Sequence, residues 1–230
     1  MKRLSVLFFL FLFSYSSICN AFASAARVEA RVALAPMNPK VEQQCGLSMQ
    51  VPQLVNMFDQ PLGFGCTGSY KNSDGAGLSM IFEYDPNQGS GGSSLNFEIE
   101  NIGISEKIAK GDNSVLKIDE GNSEPRPGPG AGHPRSPCGV LSTVTVTPLA
   151  GENWHGWIIE ESYGKPQKNC NLRKEYTRAY RCVHLMIGND KMVAQLDGVC
   201  LLRKKEYSLV NGFSYDLFID MVKSIRFNEN

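Results

Sequence analysis

The 230-residue chain carries 23 basic and 23 acidic side chains, is 42% hydrophobic, and contains seven cysteines. A neutral balance without a polybasic tail excludes nucleic acid as an expected partner. The length allows one large domain or two small ones.

In chain order, Lys2 and Arg3 precede an apolar run from Leu4 to Phe13, broken only by Ser5. Ala21-Phe22-Ala23 and Ala23-Ser24-Ala25 follow, so residues 1–25 read as a secretory signal peptide cleaved after Ala23 or Ala25. The run falls short of the ~20 residues of a membrane span, which disfavours the rival reading of an uncleaved anchor. Ser16-Ser17-Ile18 before Cys19 is a poor lipoprotein box, so no stable membrane anchor is expected. Removing Lys2 and Arg3 leaves 21 basic against 23 acidic groups, a formal charge of −2.

Cys45, Cys66, Cys138, Cys170, Cys182 and Cys200 remain in the mature chain. An even number in an exported chain reads as a framework of up to three disulfides. Zinc is the rival, but no two of these cysteines lie two to four residues apart, so no metal is expected. Ten acidic residues face three lysines between Asp74 and Glu124, and six basic residues face one acid between Tyr163 and Cys182. Such runs are solvated faces, or opposite poles that steer a charged partner. The chain has no Asn-x-Ser/Thr sequon, which leans towards a bacterial exported protein.

Residues 26–44 show no periodicity and are expected to form a loose leader, with a single α+β domain over 45–230. Leu47, Met49 and Val51 alternate up to Pro52, a short strand with a stop. Leu62-Phe64-Cys66, Leu78-Met80-Phe82-Tyr84 and Leu95-Phe97-Ile99 give three more strands, each with one apolar and one wet face. Residues 121–139 hold five prolines and five glycines in nineteen positions. They are expected to form an exposed loop without a ladder. Such long loops are often functional, a disordered insertion being the bland alternative.

Beyond it, Val140 to Val146 and Trp154 to Glu161 are strands, and Tyr176–Ile187 with Met192–Leu202 form a hairpin around Gly188-Asn189-Asp190. Centring the turn on Asn189 puts Cys182 opposite Leu196, about 13 Å out of register with Cys200. Cys182 and Cys200 are then not expected to pair. Cys45–Cys66 and Cys170–Cys182 are the expected local pairs, and Cys138–Cys200 would then tie the foot of the Pro/Gly loop to the sheet, among the fifteen pairings six cysteines allow. Phe213, Leu217, Phe218, Met221, Val222 and Ile225 mark a closing amphipathic helix capped by Ser214, with Asp216 in its first turn. The expected fold is α+β: a twisted antiparallel sheet, disulfide-stabilised, with the C-terminal helix packed on one face.

Leu47-Ser48-Met49-Gln50-Val51-Pro52 at one end and a helix running into Ser224-Ile225-Arg226-Phe227 at the other resemble the PsbP/DcrB-like exported α/β domains. That resemblance implies a protein that binds or stabilises other proteins and has no shared catalytic site. The Pro/Gly loop and the expected disulfides depart from it.

Chemistry-bearing residues are few. His133 lies in the Pro/Gly loop. His155 sits beside Trp154 and Trp157 and is either a strand-edge histidine or a base in an aromatic cleft. His184 shares a hairpin face with Tyr180, Cys182 and Met186 and reads as a satisfied, half-buried histidine. Glu160 and Glu161 are adjacent in a strand, so they point to opposite faces and cannot act as a pair. Asp74-Gly75 and Asp112-Asn113 are turn residues that complete no calcium loop. With no nucleophile elbow, zinc-protease motif or phosphate loop, no catalytic residue and no cofactor is expected.

The expected function is a periplasmic protein-binding domain, an inhibitor or immunity protein that blocks a secreted, toxin-like effector through His133 and Arg135. An envelope maintenance factor without a single partner is the alternative, and a hydrolase centred on His155 the third. The immunity analogy is one of setting.

Overall fold

In the computed structural model the described residues are 32–54, 62–81, 94–111, 116–119, 125–128, 141–163, 180–202 and 214–228. Their elements are β1 (Val32–Pro36), α1 (Pro39–Cys45), β2 (Leu47–Ser48), β3 (Gln50–Leu54), β4 (Leu62–Gly68), β5 (Ala76–Ile81) and β6 (Ser94–Glu100). There follow α2 (Ile104–Ala109), β7 (Leu116–Lys117), β8 (Arg126–Pro127), β9 (Leu141–Ala150), β10 (His155–Tyr163), β11 (Tyr180–Gly188), β12 (Val193–Leu202), α3 (Tyr215–Lys223) and β13 (Arg226–Phe227). Seven strands form one antiparallel sheet in the order β4-β5-β6-β12-β11-β10-β9.

Strand alternation divides the sheet's side chains between two faces. On the first, Leu78, Phe97, Leu196, Leu185 and Ile158 lie in one buried cluster with Leu217, Phe218, Met221 and Val222 of α3. Ser214 caps α3, its Oγ accepting from the Leu217 N–H at 3.2 Å. The second face is apolar only in part: Ile159, Met186 and Val193 pack with Ile104 of α2 and Leu116 of β7. Central β11 is therefore buried on both sides from Cys182 to Gly188, rather than wet on one.

The leader expected over residues 26–44 is not loose where it is described. Val32–Pro36 is a strand, and Asn38 accepts from the Lys40 N–H at 2.9 Å to cap α1, with Pro39 at the first helical position. Pro52 does not stop its strand either. β3 continues to Leu54 and, among the described residues, pairs only with β1, an edge position where the missing N–H is tolerated.

Part of the Pro/Gly segment also departs from the expected loop. Arg126–Pro127 forms a ladder with Leu116–Lys117, and the Arg126 guanidinium grips both Asp119 oxygens at 2.6 and 2.9 Å. Hydrogen bonding from Arg126, with its charge, holds the Asp119 carboxyl below the usual carboxylate range.

The hairpin register corrects the expected disulfides. The closing turn is Asp190–Lys191, not a turn centred on Asn189. Asn189 accepts from the Met192 and Lys191 N–H groups through its side chain at 2.9 Å, and its own N–H bonds to Met192 O. Further on, Val183 pairs with Val199 and Leu185 with Leu196, so His184 alone faces Asp197 and Gly198. This is a β-bulge with Gly198 at φ 68°, which glycine adopts without strain. Turn and bulge together slide the partner of Cys182 from Leu196 to Cys200.

Cys182 and Cys200 are accordingly bonded, with Cα atoms 3.8 Å apart. Cys170–Cys182 and Cys138–Cys200 are thereby ruled out. Cys45–Cys66 is bonded as expected, tying α1 to β4 at a Cα separation of 5.8 Å. Two bridges accord with folding in an oxidising setting. Among the described residues, no helix is long and apolar enough to cross a membrane.

Candidate functional site

Among the described residues, two polar clusters are built around one peptide step in β10. Glu160 and Glu161 leave the strand on opposite faces, and each is met by a different set of groups.

Glu161 is fully buried. On β11 beside it, His184 is also fully buried, and its Nε2 lies 3.0 Å from Glu161 Oε1. Its Nδ1 lies 3.2 Å from Asp197 Oδ1, on a carboxylate whose side chain is 60% exposed. The bulge at Asp197–Gly198 is what turns that carboxylate towards the ring. The three residues form a chain, carboxylate–imidazole–carboxylate, running from the interior to solvent. The histidine is thus more buried than the half-buried position expected for it.

Each N···O line needs one hydrogen. A neutral imidazole supplies one N–H and an imidazolium two, so which carboxylate receives a hydrogen follows the state of the ring. Both ring nitrogens are engaged by carboxylates, which leaves no ring lone pair pointing at an open site. The neighbouring Cys182 sulfur is tied up in its bridge. The arrangement braces β10, β11 and β12 across the sheet.

On the other face, the Arg181 guanidinium bonds Glu160 at 3.2 Å and lies over the Tyr215 ring, 4.3 Å from its centroid. The Tyr215 hydroxyl donates to the same Glu160 carboxylate. Burial, then the Glu160 hydrogen bond and charge, push the Tyr215 hydroxyl up to about 12. This cluster ties the start of α3 to the sheet.

A third pair sits where α2 meets β6. Lys107, largely buried, places its Nζ 2.6 Å from Glu100, which also accepts from Gln195 at 3.3 Å. Among the described residues, no group of three or more His, Cys, Asp or Glu is arranged to hold a metal ion.

Cavities also open among the described residues. One, of 310 Å³, lies where Ser224, Ile225 and Arg226 meet Ser48, Met49 and Gln50. Another, of 380 Å³, is lined by Thr67, Asp74, Gly75, Gly77, Glu98 and Glu100.

The residues expected at a partner site, His133 and Arg135, lie outside the described residues, as do Cys138, Cys170 and Asp112-Asn113. His155 is exposed at the first position of β10, a strand interior to the sheet rather than at its edge. Its ring meets Trp157 edge-on, centroids 6.2 Å apart. It lies four strand residues, about 13 Å, from the position opposite His184. The structure therefore does not join the two histidines into one centre.

Sequence reasoning missed both carboxylate clusters. The signal that finds them is register: Ile159 opposes His184 and Glu160 opposes Val183, which brings Glu161 beside His184 and Glu160 beside Arg181. Gly198 inside an apolar strand pattern was the available mark of the bulge. No family model matches this chain, and neither a curated protein nor a solved structure is significantly similar to it.

Proposed function

We propose that this chain is an exported protein-binding domain of the bacterial periplasm, an inhibitor or immunity protein that blocks a secreted, toxin-like effector. The observation that carries the reading is that the described residues on either side of segment 129–140 are held. At its N-terminal foot, Arg126–Pro127 is held in a ladder and by the bidentate Asp119 pair, with Gly128 buried. At its C-terminal foot, Leu141 opposes Tyr163 in the main sheet. A recognition segment mounted on fixed feet loses less conformational entropy on binding. The disulfides hold the scaffold, and buried carboxylates locked in pairs suit a rigid support more than an acid–base centre.

The resemblance to PsbP/DcrB-like domains belongs to the same proposal. The two segments that carry it meet, because Arg226–Phe227 pairs with Leu47–Ser48.

The test is recovery of a partner. Tagged mature protein drawn from periplasmic extract should bring down one stoichiometric protein, and His133→Ala with Arg135→Ala should weaken that recovery at least tenfold. A deletion strain should be poisoned by its own siblings. Recovery of nothing above background, together with general envelope sensitivity of the deletion, would transfer the proposal to an envelope maintenance factor.

A further inference from the structure

Strand β9 ends the seven-stranded sheet, and among the described residues only β10 pairs with it. Its ten residues, LSTVTVTPLA, carry no charge. Soluble proteins usually guard a long edge with charges, proline or a bulge, because its unpaired N–H and C=O groups template another strand. The guards here are Pro148, opposite Trp157, and a bulge at Ser142, which has no partner because Thr143 opposes Ser162 and Leu141 opposes Tyr163. Lacking an N–H, Pro148 belongs with its nitrogen on the open side. Alternation then turns the backbone groups of Val144 and Val146 to the open side too, while Thr143, Thr145 and Thr147 bond inward to β10.

The edge has a second property. Thr143-Val144-Thr145-Val146-Thr147 reads the same in both directions, and Leu141 and Leu149 flank it symmetrically. Consider an antiparallel copy placed on a two-fold axis through Thr145. Threonine then opposes threonine and valine opposes valine. Matched threonine and β-branched pairs are favourable across strands. Val144 and Val146 exchange bonds in both directions, so about four backbone hydrogen bonds form across the regular stretch from Thr143 to Thr147.

We propose that β9 is a self-association edge, on which a second copy of this chain sets its own β9 to make one continuous sheet. The symmetric contact is isologous and closes at two subunits. Val144 and Val146 already pack against the second apolar cluster, with Ile159 and Trp157 on the same face. Pairing brings the two such clusters together across the axis. The palindrome selects a copy of this chain over an unrelated strand, whose side chains would match only by chance.

Thr145 is exposed and lies on the axis. Thr145→Lys opposes two ammonium groups at the closest type of cross-strand pair, and Thr145→Glu opposes two carboxylates. By sedimentation of the mature protein, the wild type should show the mass of two chains. Each variant alone should show one, with a melting temperature close to wild type, and an equimolar mixture should regain two. The amides of Val144 and Val146 should exchange faster in either variant alone.

Three outcomes overturn the proposal: a wild type that stays a single chain up to millimolar concentration, a dimer that neither variant disturbs, or a mixture that stays monomeric. If the edge instead takes another protein's strand, these amides will be protected only in the complex recovered with that protein, which also overturns self-pairing.

Discussion

Glu160 and Glu161 differ by one peptide step and by everything that surrounds them. Glu161 is fully buried against His184, so removing the imidazole strips a buried carboxylate of a charge-assisted hydrogen bond. His184→Ala should destabilise the fold by about 3 kcal/mol in urea unfolding. Replacing both groups, Glu161→Leu with His184→Leu, should cost less than the single change, because no uncompensated buried charge is left. A double variant as unstable as the sum of the two single ones would show that the pair is not coupled.

Tyr215 gives the opposite kind of reading, because its hydroxyl is pushed up to about 12 in the folded state from an ordinary value of 10. A raised folded value means the unfolded chain loses its proton first. This stabilisation is complete below about pH 10 and declines as pH rises from 10 to 12. The group is partly exposed, so screening reduces the effect to on the order of 1 kcal/mol. Tyr215→Phe should flatten that part of the stability–pH curve relative to wild type. An unchanged slope would place the effect elsewhere.

Elements were legible where one periodicity ran unbroken. Strands at Leu78, Leu95 and Val144 and the helix capped by Ser214 follow directly from alternation and from helical spacing. Pairing between elements was less legible, because it depends on the turn and on single insertions. The β11–β12 hairpin shows why. Its turn lies between Asp190 and Lys191, and one extra residue at Asp197–Gly198 moves the second half again. Each shift is small, yet together they decide which cysteine meets Cys182.

The α1 helix was hidden for another reason. Seven residues give too few turns for an apolar stripe to stand out, although Asn38-Pro39 is a start signal. With Cys45–Cys66 and Cys182–Cys200 formed, the cysteines left are Cys138 and Cys170. Cys138 precedes and Cys170 follows strand ends that are neighbours in the β9–β10 pair, Leu141 opposite Tyr163. Mass spectrometry of the native mature protein should show six hydrogens missing, no free thiol, and a Cys138–Cys170 peptide. Replacing Cys182 and Cys200 together by serine should cost about 2–4 kcal/mol, as closing a loop of this size predicts. Two alkylatable cysteines would instead mean that only the two described bridges form.

At the scale of the whole molecule, the fold is closed by its two ends. Arg226–Phe227 pairs with Leu47–Ser48, the Asn228 N–H reaches Gly46 O, and Trp154 donates to Ile225 O at 2.7 Å. Asn153 adds bonds to both the N–H and the carbonyl of Phe227. None of these partners is near in sequence, so alternation and capping carry no trace of the contacts. The antiparallel sheet and terminal helix were readable, whereas the seam joining the ends had to be seen.

Phe227 is the apolar plug of this seam, 2% exposed. Phe227→Ala removes most of a buried ring at a place where a helix, a two-stranded ladder and the Trp154 indole are all held, and local collapse is therefore restricted. The expected loss is about 3–5 kcal/mol in urea unfolding. Because the β13–β2 ladder links the end of α3 to α1, the loss should spread. Amide exchange at Leu47 and Ser48 should accelerate together with that of α3, while the β11–β12 hairpin, held by its own bridge, retains more protection. A loss below about 1 kcal/mol, or fast exchange confined to Arg226 and its neighbours, would mean that the chain ends fray independently of the core.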